Sequence, residues 1–133
     1  MRYLGVDPGG ARLGLALGDD ITGVVSALDV VPCRSIEAAA RTIVDAARSH
    51  HADRVVIGLP TSSDGGETPA CRRSRAIAEA VTAAGLEVIL QPEFLTTDEA
   101  RRRAREVGLD RRRPVDHLAA QIILEEFLSE HGA

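Results

Sequence analysis

The chain has 133 residues, 44% of them hydrophobic and 27% charged, a size that predicts one globular domain over 1–133 and excludes a two-domain enzyme. No run reaches the ~18 to 20 apolar residues of a membrane span, and a strand-like Tyr3–Val6 stands where a secretory leader would, so a cytoplasmic protein without a membrane partner is expected. The net charge of -4 argues against coating nucleic acid over the whole surface, yet all 16 cationic residues are arginine and seven lie between Arg101 and Arg113. Much of the positive charge is therefore local.

Tyr3 to Asp7 reads as a first strand and Arg12 to Gly18 as a second, with Leu13, Leu15 and Leu17 alternating against Gly14, Ala16 and Gly18. Pro8-Gly9-Gly10 turns between them, and after the Gly18-Asp19-Asp20 break Gly23 to Val31 reads as a third strand, completing an antiparallel meander. Ser35 is a candidate N-cap for a helix to about His50, with Ile36, Ala39, Ala40, Ile43 and Ala47 at helical spacing and Glu37 in the first turn. Arg54 to Gly58 is a short buried strand, followed by a polar, glycine-rich loop from Leu59 to Thr68. A second helix opens at Pro69 and is capped by Gly85, with Ala76, Ile77, Ala80, Val81 and Ala84 as its inward stripe. Glu87 to Leu90 is another strand. Thr96 and Glu99 form a capping-box pattern for a third helix ending near Gly108, and Pro114 opens a fourth towards His131. The order βββαβαβαα predicts an α/β fold whose mixed five-stranded sheet has an antiparallel edge and parallel pairing where helices intervene. Cys33 and Cys71 lack metal-ligand or paired spacing and read as free thiols.

Three acids fall at informative places. Asp7 ends the first strand, on the face of Tyr3 and Gly5, beside glycines that leave space above it. A turn-forming aspartate that hydrogen-bonds backbone amides is the equal alternative. Glu93 follows an expected parallel strand at its C-terminal end, where α/β folds place their sites, though a solvated loop acid would look the same. Asp116 opens the last helix on the stripe of Ala119, Ala120, Ile123 and Phe127. The helix dipole alone would favour it there, but a buried stripe makes an unpaired carboxylate costly. If the three meet, one or two hard divalent cations are the natural compensation, and two-metal hydrolysis of a phosphodiester is the chemistry such a site performs.

Two surfaces suit a phosphate backbone. The loop holding Thr61, Ser62, Asp64 and Gly65 precedes a helix start and could bind a phosphate, or merely cap that helix. Arg101, Arg102 and Arg105, with Arg111, Arg112 and Arg113, bracket the approach to Asp116. They suit salt-sensitive backbone binding, the alternative being a solvated helix face. His117 points about 100° from Asp116, while His50 and His51 end a helix, so none is assigned a catalytic role.

In order along the chain, Gly5-Val6-Asp7-Pro8-Gly9 with Arg12-Leu13-Gly14-Leu15-Ala16, Val56-Ile57-Gly58-Leu59-Pro60 with Asp64-Gly65, Leu95-Thr96-Thr97 with Glu99-Ala100, and Val115-Asp116 with Ala119-Ala120 resemble the YqgF/RuvX family. The members of that family are described as Holliday-junction resolvases or as nucleases that mature the 5′ end of pre-16S ribosomal RNA. The resemblance implies an RNase H-like fold, an acidic Mg²⁺ or Mn²⁺ site at Asp7, Glu93 and Asp116, and further nucleic-acid contacts at Arg12, Thr96 and Thr97. The family's Asp-Glu-Arg before Leu-Thr-Thr is Pro92-Glu93-Phe94 here, so one potential metal ligand and one potential phosphate contact are lost. Phe94 is expected to pack, with base stacking the alternative.

The expected function is thus a metal-dependent nuclease acting on pre-rRNA, as a monomer or homodimer. Branched DNA is the alternative substrate, and a non-catalytic nucleic-acid-binding protein the alternative class. An ATP-binding relative of the actin fold, suggested by Val6-Asp7-Pro8-Gly9-Gly10, would need a second domain that 133 residues do not supply.

Overall fold

The computed structural model describes residues 1–9, 11–60, 68–93 and 115–131, with the backbone alone at 93 and 115–117. Strands β1 (Arg2–Pro8), β2 (Arg12–Asp19) and β3 (Val25–Pro32) form the meander, followed by α1 (Ile36–Ser49), β4 (Arg54–Pro60), α2 (Pro69–Ala83), β5 (Glu87–Glu93) and α3 (Val115–His131). The five strands lie in the order β3-β2-β1-β4-β5. β1 pairs antiparallel with β2 and parallel with β4, and β4 pairs parallel with β5. The mixed sheet is therefore as expected.

Alternation along β1 divides the core in two. Leu4 and Val6 join Ile57, Ile43, Ile77 and Val81 in the cluster under α1 and α2. Tyr3 joins Val56, Ala16, Ala120, Ile123, Leu124 and Phe127 in the cluster under α3. The successive faces of a strand thus serve different helices.

Local chemistry explains the helix ends. The Ser35 hydroxyl accepts from the Ala38 N–H and Thr68 accepts from the Cys71 N–H, each satisfying an amide that the first turn leaves open. The soft stop of α1 is a complete left-handed cap. His51 has φ +55, its N–H donates to the Arg48 carbonyl, and the Ala52 N–H donates to the Ala47 carbonyl. Gly85 takes the same role after α2 with φ +98.

Several expected boundaries move. Gly23 belongs to the β2–β3 turn, with φ +72 and its N–H donating to Asp19, so β3 begins at Val25. β4 extends through Leu59 and Pro60, and β5 extends beyond Leu90 to Glu93. Pro92 is tolerated because β5 is an edge strand, where a missing N–H breaks no second ladder. On α2 the buried arc is Cys71, Ser74, Ile77, Ala78 and Val81, while Ala76 and Ala80 are half-buried and Ala84 exposed. Alanines mark a helix face weakly, and packing against both α1 and the sheet turns the arc towards a cysteine and a serine. The expected helix from Thr96 to Gly108 and the loop at 61–67 lie outside the described residues. Both cysteines are free and buried, and no described helix is long and apolar enough to cross a membrane.

Candidate active site

Asp7 is the third residue in the row begun by Tyr3 and Gly5, on the face covered by α3, and it is half-buried. Across the ladder it pairs with Gly14 of β2, and its carbonyl accepts from the Gly9 N–H at 3.0 Å, closing the turn after the strand. The half-buried carboxylate thus sits near the strand end, one residue before the close of β1 at Pro8 rather than at its last residue as expected, and Gly14 stands opposite it.

The seating of α3 relates Asp116 to that strand end. The rings of Tyr3 and Phe127 meet edge to face at 5.1 Å between centroids. Farther along β1, a Cβ on Gly5 would stand 3.0 Å from Leu124 Cβ and 3.1 Å from the Ala120 carbonyl oxygen. As β1 advances from Tyr3 to Gly5, α3 is therefore met progressively earlier, at Phe127 and then at Ala120. One further helical turn towards the N-terminus is position 116, and the next residue in the row on β1 is Asp7. The stripe expected to carry Asp116 is confirmed at Ala120, Ile123 and Phe127, which are buried, and at Ala119, which is half-buried.

Position 93 ends β5 opposite Pro60 of β4. Its row contains Ile89, which packs in the α3 cluster, and buried Gln91, whose side-chain amide donates to Glu130 of α3 at 3.1 Å. Val6 pairs with Ile57 and Ile57 with Leu90, so position 93 lies two strands across from Asp7 and two residues farther along. With strands ~4.8 Å apart and ~3.3 Å of rise per residue, the two backbones are roughly 12 Å apart. Positions 7 and 93 thus share one face and one end of the sheet on separate strands, and position 116 lies one helical turn before the contact of α3 with Gly5.

Arg12 opens β2 at this same end and is exposed. Thr61, Ser62, Asp64, Gly65, Thr96, Thr97, Arg101, Arg102, Arg105, Arg111, Arg112 and Arg113 lie outside the described residues, as does Phe94. Among the residues whose side chains are described, which do not include 93 and 116, no group of three or more His, Cys, Asp or Glu could hold a metal ion. The donor chemistry of the three acids is all oxygen, which fits a hard cation such as Mg²⁺ or Mn²⁺. The soft donors are elsewhere, Cys33 in the cluster on the opposite face and Cys71 buried on α2.

The seat beneath α3 is a positional feature that the motif reading missed. A Cβ on Gly58 would stand 2.5 Å from Ile123 Cδ1, and one on Gly18 would stand 2.9 Å from Leu124 Cδ2. Glycine inside a strand pattern is itself a signal of close approach, and it was legible at both positions.

A mixed sheet in this order, with two helices on one face and a third across the other, is an RNase H-like fold. Solved structures agree. The chain superposes on T. thermophilus RuvC in complex with a Holliday junction substrate with a TM-score of 0.62, 98% of this chain and 96% of that one covered, at 16% identity. It superposes on the fowlpox virus resolvase in complex with Holliday junction DNA at 0.60, with 98% of each chain covered and 13% identity. Those identities speak to the fold alone. A family model described as "RuvX: Holliday junction resolvase" matches residues 1–130, and the chain belongs to the RuvX family of nucleases. Among relatives named "Putative pre-16S rRNA nuclease", one from Anaeromyxobacter sp. (strain Fw109-5) is 42% identical with all of both chains covered. One from Thermus thermophilus is 31% identical over 97% of this chain and 98% of its own.

Proposed function

We propose that this nuclease matures the 5′ end of pre-16S ribosomal RNA by metal-dependent phosphodiester hydrolysis at Asp7, Glu93 and Asp116. The convergence of these three positions on one face, at the end of the sheet where β1, β4 and β5 finish, carries the reading. Asp7, Glu93 and Asp116 are the oxygen donors that would hold Mg²⁺ or Mn²⁺, which when bound supplies Lewis acidity towards the scissile phosphate. The carboxylates orient the reacting end of the substrate through that charge and repel an uncompensated phosphate without it. Arg12, exposed at the start of β2, supplies positive charge for the flanking backbone. A covalent thiol route has no support, since Cys33 and Cys71 are only 3% and 2% exposed.

The RNA assignment draws on the names of full-length relatives. The family model's description supports a second reading, cutting of branched DNA. RNA processing accommodates a monomer or a homodimer, whereas symmetric cutting of a junction needs the homodimer.

The test is cleavage of a labelled 5′-extended pre-16S RNA fragment and of a four-way DNA junction, each with Mn²⁺, Mg²⁺ or EDTA. Metal-dependent RNA cutting that is lost in Asp7→Asn, with an unchanged circular dichroism spectrum, is the expected result. Preferential junction cutting transfers the activity to DNA. Binding without cutting of either substrate overturns the catalytic reading.

A further inference from the structure

Arginines stand at both ends of the sheet. At the end where β1, β4 and β5 begin stand Arg2, Asp19, Asp20, Asp53, Arg54 and Glu87. Arg2 and Arg54 are engaged there. Arg54 pairs with Glu87 at 2.8 Å, and Arg2 Nη1 donates to the His50 carbonyl at 2.9 Å.

The opposite end, where Asp7 stands, holds further arginines. Arg12 pairs across the ladder with Pro32, the last residue of β3. The Cys33 N–H donates to the Ala11 carbonyl at 2.9 Å, which places Arg34 beside the start of β2. Arg34 then precedes the cap of α1. The second helix returns to this end as well, because β5 begins at the far end shortly after α2 finishes, and 15 residues of helix span roughly 22 Å, about the length of a seven-residue strand. Its first two turns carry Arg72, Arg73 and Arg75 and no acid in the first turn. Arg34 and Arg72 are exposed, Arg34 just before α1 and Arg72 in the first turn of α2, and the two helices pack against each other over the same face of the sheet.

We propose that Arg34 and Arg72 bind the sugar–phosphate backbone of the substrate beside the cleavage site, extending the nucleic-acid surface from Arg12 across the starts of α1 and α2. This proposal rests on the nuclease reading above. The surface lies on the other face of the sheet from Asp7, so the bound strand passes over the strand ends with its scissile phosphate towards α3 and its flank towards the two arginines. The interaction is with phosphate, so it adds affinity without base preference.

The experiment measures binding of the labelled 5′-extended pre-16S RNA fragment by fluorescence anisotropy over a KCl series in EDTA, where cleavage is silent. Wild type, Arg34→Ala, Arg72→Ala, the double variant and Arg48→Ala are compared, with a melting curve for each. Each single substitution should weaken binding several-fold and reduce the slope of log K against log salt by ~0.7, the double by ~1.4, with melting temperatures unchanged. Arg48→Ala, at the far end of α1, should leave the slope at the wild-type value. A wild-type slope in the double variant overturns the proposal while leaving the nuclease reading intact. Failure of the wild type to bind either the RNA or a four-way DNA junction, in EDTA and with Ca²⁺ alike, overturns both.

Discussion

Replacing Gly58 with alanine tests how tightly α3 is seated over the site. The new Cβ would stand 2.5 Å from Ile123 Cδ1 and 3.3 Å from Ile123 Cγ1, against ~3.5–4.0 Å for an ordinary carbon contact. About an ångström of room must therefore be found. Cδ1 is the end of a side chain, but Ile123 is 1% exposed, and Leu124 and Val56 beside it are fully buried. Overpacking of this kind costs about 1–3 kcal/mol. An unfolding entropy of ~2.1 cal/mol/K per residue over 133 residues makes each kcal/mol worth about 3.5 °C, so Tm should fall by roughly 4–11 °C. Ile123→Val removes the offending methyl group and alone costs about 0.5–1.5 kcal/mol. The double variant should lose less than the sum of the singles, with a coupling of about 1 kcal/mol, because the methyl that clashes with the new Cβ at position 58 is then absent. Calorimetric melting of the four proteins measures this cycle. A neutral Gly58→Ala, or singles that add within about 0.3 kcal/mol, would refute the claim that this glycine sets the height of the helix.

Two further substitutions test local features of the fold. His51→Gly should raise stability by about 0.5–1 kcal/mol in a urea titration, since φ +55 strains any residue with a Cβ and the cap's two hydrogen bonds are made by backbone groups. Ser74→Ala should raise Tm by a few degrees, because the Ser74 hydroxyl is fully buried and has no hydrogen-bond partner among the described residues. A lower Tm in that variant would mean that the hydroxyl has a partner in solution.

The two kinds of information divide along physical lines. Patterns that act over a few residues were legible in the chain itself: the meander from its alternating leucines and glycines, the start of α1 from Ser35, the end of α2 from Gly85, and the stripe that carries Asp116. Those features follow from backbone sterics, from amides left open at helix ends and from the periods of helix and strand, all of which operate locally. The sequence also placed Asp7 on the face of Tyr3 and Gly5, since alternation along a strand needs no knowledge of what covers it. Tertiary packing decided the rest. Ser74 and Cys71 lie in the buried arc of α2 because α1 and the sheet both press on that helix, which hydropathy does not record. Pro92 continues β5 because nothing described pairs with its outer edge. The helix that begins beside Asp116 sits close on the sheet because Gly5, Gly18 and Gly58, far apart in the chain, lie together beneath one turn of α3. The acids named candidate ligands, but their common face and end could emerge only when the strands took their order and the helix settled on the glycines.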